Sequence, residues 1–313
     1  MALDHYIPQT YLSQFIVEEL GSRIFVVRKS DQSTFGAHPK DLCRGDEHNT
    51  NKHLLHQRAI EVVLKEIEPH YRQAVNNFRC GKIAANDVFV ISGLITSISI
   101  CSPKGRSLQS GTLRASVEGL IRAGDANGEF PPPPKSLGAA SLSEVIENGT
   151  IELDIDPRFP QAVGTTNFRE LATRFGNAHW EILKTDAKVA PFISSDFPTG
   201  FELSPDPRVQ NRIFPLAPDI AVRINLNIHE RGNTELRFDK FSFAYKKINK
   251  DTVRAFNRSV VWCADKLIFC STNEEWVVRF VRNHRNRKLD TLVDRIPTDE
   301  GEYIITRQRV VPT

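Results

Sequence analysis

Four polar positions, far apart along the chain, have types and spacings suited to acid–base or metal chemistry. His5 stands just ahead of Pro8 and Tyr11, and an imidazole there titrates near neutrality, so it can act as general base or ligand. Glu61 and Glu68 are seven residues apart, two turns of a helix, which places both carboxylates on one face. Asp196 sits in Ser194-Ser195-Asp196-Phe197-Pro198, at the expected end of a strand. Such carboxylates hold a hard divalent cation such as Mg²⁺ or Mn²⁺, and the cation activates water and stabilises phosphoryl charge. The first reading is therefore a metal-assisted hydrolase, a phosphodiesterase or nuclease of unknown substrate. Its catalytic residues would be His5, Tyr11, Glu61 and Asp196, and its metal ligands Glu61, Glu68 and Asp196.

The same residues support a second reading, a non-enzymatic ligand- or protein-binding module. His5 and Tyr11 then cap backbone groups where the chain enters the core, Glu61 makes an i,i+4 pair with Lys65, and Asp196 closes a turn before Pro198. Asn257 shares a helix stripe with Val253, Phe256, Val260 and Ala264, and an amide on a core face must be paired. It is expected to be a structural polar residue that, with His5, Tyr11 and Glu61, ties the two halves together.

Other chemistry is weaker. His53 and His56 stand at i,i+3, with His48 nearby, but no further zinc ligands follow at suitable spacing. Arg279, Arg282, Arg285, Arg287 and Lys288 offer a nucleic-acid contact, or else satisfy the negative end of a helix whose start carries Glu274 and Glu275. No nucleotide-binding fingerprint, P-loop, zincin motif or nucleophile elbow occurs in the sequence.

The elements that must position these residues follow from pattern. Pro8 suits the start of a short helix carrying Leu12, Phe15 and Ile16 inward. Strands over 23–28 and 33–37 make a small edge hairpin, and 41–51 reads as a loop. A helix over 52–77 should kink at Pro69, and Asn86-Asp87 caps a second, buried helix stopped by Pro103. A weaker helix covers 108–123, a Gly/Pro-rich loop covers 124–134, and Ser141-x-x-Glu144 is a capping box. Strands are expected over 151–155, 180–183, 189–194 (paired with 180–183), 212–214, 221–227, 235–238, 242–248, 267–271 and 302–310. Helices are expected over 168–177, 251–264 and 274–285. The fold class is α+β: a helical N-terminal half with the edge hairpin, then an antiparallel sheet flanked by helices. The proline loop divides a helix-rich lobe, 1–130, from an α+β lobe, 131–313, unless the chain forms one continuous domain.

Composition bounds the class. With 313 residues, 40% hydrophobic and 25% charged, the chain can bury a sizeable core, and a formal charge of +3 leaves global electrostatics nearly neutral. The apolar stretch 88–100 is broken by serines, threonine and glycine, so no membrane association is expected, and the first residues lack signal-peptide features. Five cysteines without a Cys-x-x-Cys pair suit reduced thiols, hence a cytoplasmic location.

The opening His5-Tyr6-Ile7-Pro8-x-x-Tyr11-Leu12-x-x-Phe15 resembles the start of a mainly microbial family catalogued as domain of unknown function 4238. Further pieces agree in order: Ile60-Glu61-x-x-Leu64-x-x-Ile67-Glu68, then Phe192-Ile193-Ser194-Ser195-Asp196-Phe197-Pro198, then Phe214-Pro215-Leu216-x-Pro218. Phe256-Asn257, Ala264 and the 268–271 run extend the resemblance almost to the C-terminus. It singles out Glu61 and Glu68 but implies no reaction. One departure is Cys101-Ser102-Pro103, where the family pattern has Arg-Thr-Pro; Arg106 is the nearby candidate to take that arginine's place.

Overall fold

A computed structural model describes residues 3–206, 209–227, 236–238, 241–298 and 301–313. The chain enters through β1 (Leu3–His5) and reaches Pro8, whose carbonyl accepts the first bonds of α1 (Gln9–Leu12) from the Tyr11 and Leu12 amides, both at 3.1 Å. Strands β2 (Ile16–Val17), β3 (Arg23–Arg28) and β4 (Thr34–Ala37) follow, with β3 and β4 as the expected hairpin. The segment expected to be a loop contains β5 (Arg44–Asp46), antiparallel to β1 with His5 opposite Arg44. A three-residue strand has too little alternation to be read locally; its ladder comes from the N-terminus.

Helix α2 (Ala59–Ile67) starts later than residue 52 because Asn51 folds the preceding segment, accepting the His53 amide on its side chain and donating its own amide to Gln57 O. Pro69 places a 3₁₀ turn, Glu68–His70, between α2 and α3 (Tyr71–Cys80), the expected kink. Helix α4 (Ala85–Cys101) is buried on every side, and the hydroxyls of Thr96, Ser97 and Ser99 bond back to carbonyls of the preceding turn. Asp87 lies inside it rather than before it, reaching back to accept the Ala84 amide at 2.8 Å. Pro103 ends α4 and also opens α5 (Pro103–Ala126), with Ser102 Oγ accepting the Gly105 amide. The helix is thus far longer than 108–123.

Beyond the proline loop come α6 (Leu142–Glu147), α7 (Arg158–Thr166), α8 (Phe168–Gly176), β6 (His179–Lys184), β7 (Ser194–Ser195), β8 (Gly200–Glu202), β9 (Val209–Ala217), β10 (Ile220–Asn227) and β11 (Ser242–Lys247). Then follow α9 (Lys250–Cys263), β12 (Leu267–Cys270), α10 (Glu275–His284), β13 (Arg287–Thr298) and β14 (Gly301–Pro312). One sheet has the order β11-β6-β10-β9-β8, antiparallel except that β11 runs parallel to β6; a second has β2-β3-β12-β7, with β4 on the free side of β3. The fold is α+β.

Two expected strands are absent. Residues 151–155 form none. Residues 189–193 do not pair with β6, whose neighbours are β10 and β11, because Asn257 takes the Ile193 amide and the Pro191 carbonyl. Residue 235 lies outside the described residues, and 236–238 form no strand. Helix α7 and strand β13 were not anticipated. The β13–β14 hairpin lies along α5, where Gly111 and Gly119 admit Thr291 and Ile304. A core running from Ile7 and Leu12 through Leu94 to Phe214 and Leu289 joins both halves of the chain, and a second apolar cluster packs α9 and α10 against β12.

Candidate functional site

The first polar cluster lies where β1, β5, α2 and α5 meet. Asp4 is buried; its carboxylate accepts the Asn49 amide and an Arg58 N–H, each at 3.0 Å. Asn49 Nδ2 donates to Glu61 Oε1 at 2.6 Å, and Arg58 lies 3.6 Å from the same oxygen. Glu68 is half-buried near Glu61, so burial first and the second carboxylate next push it up to about 7. Glu61 lies in the first turn of α2 and Glu68 in the 3₁₀ turn at its far end, close enough for one carboxylate to act on the other. His5 belongs to the same corner but its Nε2 lies 3.1 Å from Lys40 O, and burial lowers its pKa.

Behind this cluster His48 is held at 2.7 Å from Cys101 O, with Arg106 Nη2 within 3.2 Å of Nδ1. Burial and then the guanidinium lower its pKa to about 4, so the ring is neutral at neutral pH, with Arg106 Nη2 also 2.6 Å from the Nε2 that faces Cys101 O. Arg106 therefore does reach the corner that Cys101 lines. His53 bonds Asp156 instead, which separates it from His48.

Tyr11 lies in the core, fully buried. Its hydroxyl donates to Pro215 O at 2.9 Å and, its proton being used there, accepts from Ser194 Oγ at 2.6 Å. Tyr71 of α3 does the same to the next carbonyl, Leu216 O, at 2.8 Å. Asp196 is buried and accepts three backbone N–H groups, from Asp265, Lys266 and Leu267, at 2.8–3.1 Å. Burial and then Asp265 push its pKa up to about 7, against these three donors. Lys29 Nζ donates to Trp262 O and Ala264 O, so the pair closes the turn between α9 and β12 from both sides. Asn257 accepts the Ile193 amide on Oδ1 at 3.0 Å and donates from Nδ2 to Pro191 O at 2.9 Å.

Glu61, Glu68 and Asp196 do not fit one shared divalent cation. Asp196 spends both oxygens on backbone donors beside Asp265 and Lys29, whereas the two glutamates belong to the Asp4–Arg58 corner. Among the described residues no group of three or more His, Cys, Asp or Glu side chains converges to hold a metal ion. The basic C-terminal residues are dispersed: Arg285 donates to Ser30 O, Arg287 lies over the Trp262 ring, Lys288 pairs with Asp290, and Arg279 faces a different site.

That site is a cleft of about 890 Å³ between α9, α10 and the 187–191 segment. Asn257 shapes it, because the backbone atoms it holds belong to the segment that forms one wall. Sequence reasoning missed the cleft. The available signal was the i,i+4 placement of Lys250 and Arg254 on the helix that carries Asn257.

No single helix among the described residues is long and apolar enough to cross a membrane. No curated protein and no solved structure matches the chain. The stretches that resemble the family are in physical contact: Tyr11 from the first meets Ser194 from the third and Pro215 from the fourth, and Asn257 from the last holds Ile193. A family profile, described as protein of unknown function (DUF4238), matches residues 4–274, from β1 to the start of α10, and the chain belongs to that family.

Proposed function

We propose that this protein is a binding module whose polar motif residues form a rigid scaffold, with its ligand taken up in the cleft between α9 and α10. The observation that carries this reading is the engagement of Tyr11, Asp196 and Asn257 by partners within the protein. A nucleophile, base or ligand needs a free lone pair or proton facing substrate, and these residues have theirs committed to backbone. The test combines stability with metal response. His5→Ala, Tyr11→Phe and Glu61→Gln should each lower Tm, Tyr11→Phe by the equivalent of about 1–3 kcal/mol for its buried partners. Mg²⁺, Mn²⁺, Zn²⁺ and Ca²⁺ should leave the wild-type Tm unchanged. A saturable shift with one metal, lost in Glu61→Gln, defeats the scaffold reading.

A second reading, phosphodiester hydrolysis at the Glu61–Glu68 pair, is favoured by one feature. Glu61 is held by Asn49 and Arg58 while burial favours the proton on Glu68, and two carboxyl groups in such unlike surroundings suit general base and general acid. Turnover of bis-(p-nitrophenyl) phosphate that disappears in Glu68→Gln at unchanged Tm would support it; absence of turnover removes it.

A further inference from the structure

The cleft between the 187–191 segment, α9 and α10 has a composition that selects its ligand, an inference that rests on the binding-module reading. Its lining is part apolar and part polar: Val253 and Phe280 are buried, the half-buried Trp276 ring meets Phe280 edge-on at 6.3 Å, and Asn257, Ser271 and Thr272 lie among them. Lys188, Lys250, Arg254 and Arg279 are exposed around it. None of the four forms an ion pair among the described residues, whereas Arg58, Arg223 and Arg295 elsewhere each contact two carboxylates. The one acidic side chain among the lining residues, Glu274, accepts the Thr272 hydroxyl at 3.1 Å. The cleft therefore concentrates an excess of three positive charges, equal to the formal +3 of the whole chain.

Uncompensated cations around a concave surface that includes an aromatic patch focus a positive potential and favour an anion that also buries a ring. We propose that this cleft binds a nucleoside phosphate, with Trp276 receiving the base and Arg254, Arg279, Lys188 and Lys250 receiving the phosphates. Arginine and lysine are the side chains suited to phosphate oxygens, and an indole face stacks on any base. The volume of about 890 Å³ matches a ligand of that size and exceeds what bare phosphate fills. Nucleic acid is disfavoured as the occupant: the cations surround a hollow instead of forming a stripe, and Arg285 and Arg287 farther along are engaged with Ser30 O and Trp262.

The test is calorimetric titration of the full chain with ADP, adenosine and pyrophosphate. ADP should bind saturably and more tightly than either fragment. Arg254→Gln/Arg279→Gln should weaken ADP at least tenfold, and Trp276→Leu should weaken ADP severalfold while leaving pyrophosphate unchanged. Lys188→Glu, on the wall segment, supplies an independent charge variant. Melting curves should be unchanged for the exposed Arg and Lys variants. Absence of ADP binding, ADP affinity untouched by the charge variants, or pyrophosphate binding as tight as ADP would each overturn the proposal. None of those outcomes alters the scaffold reading, which is decided by the melting and metal titrations above.

Discussion

At the scale of single residues, the physical question is whether a polar group faces solvent and substrate or faces its own protein. Tyr11, Asp196 and Asn257 have the composition of catalytic groups but the surroundings of structural ones, each held by backbone partners inside the core. Glu68 differs, being half-buried with its charge opposed by Glu61. Its pKa is about 7 when folded against 4.5 for the ordinary side chain, so across that window the folded protein holds a proton that the unfolded chain has lost. Its contribution to stability is therefore fully present below about 4.5 and is lost as pH rises through about 7. Glu68→Gln removes this dependence, and the Tm of the variant relative to wild type should rise between about pH 5 and pH 8. Asp196, raised in the same direction, is common to both proteins and cancels. A difference that stays flat across this range would show that Glu68 is not buried against Glu61.

At the scale of elements, close approach between helices and strands depends on small residues at particular contacts. The corner between α4 and α5 is the least yielding: a Cβ at Gly105 would lie 2.1 Å from the Ser99 carbonyl oxygen, a backbone atom that cannot swing aside. Gly105→Ala should therefore cost about 1–3 kcal/mol, read as a lower urea midpoint with little change in slope. An unchanged midpoint would mean that the corner relaxes freely. Gly119 is a milder case, since the clash there is with the mobile tip of Ile304. Position-specific contacts of this kind explain why α5 was read too short. Its glycines lower intrinsic helix propensity, and the β13–β14 hairpin that lies against them is remote in sequence.

At the scale of the whole molecule, the helices dominate the N-terminal half, while Trp180, Trp262 and Trp276 all lie in the C-terminal half. Tryptophan fluorescence therefore reports the C-terminal half, whereas the helix signal comes from both halves. Tyr11 and Tyr71 bond successive carbonyls of β9, and one apolar core includes Leu12, Leu94, Phe214 and Leu289. We expect urea unfolding followed by far-UV circular dichroism and by tryptophan fluorescence to give coincident transitions. Fluorescence and helix loss at clearly separate midpoints would instead support the division into lobes at 1–130 and 131–313.

The sequence by itself determined the elements whose causes are local. Pro8 and Pro69 set backbone angles, Ser141 caps its helix, and the apolar runs of α4, β10 and α9 declare burial, so the α+β class was legible. Glu61 lies close enough to Glu68 to act on its charge, and Asn257 has the Ile193 amide and the Pro191 carbonyl as partners. Tertiary structure alone decided the rest, because the deciding partners are remote. Asp196 meets residues 265–267, Tyr11 meets residues 194 and 215, and the chain over 189–193 gives up a strand for Asn257. The cleft is the clearest instance: Lys188, Arg254 and Arg279 come from three separate segments, and only packing shows that their charges share one hollow with no carboxylate among the described residues paired to them.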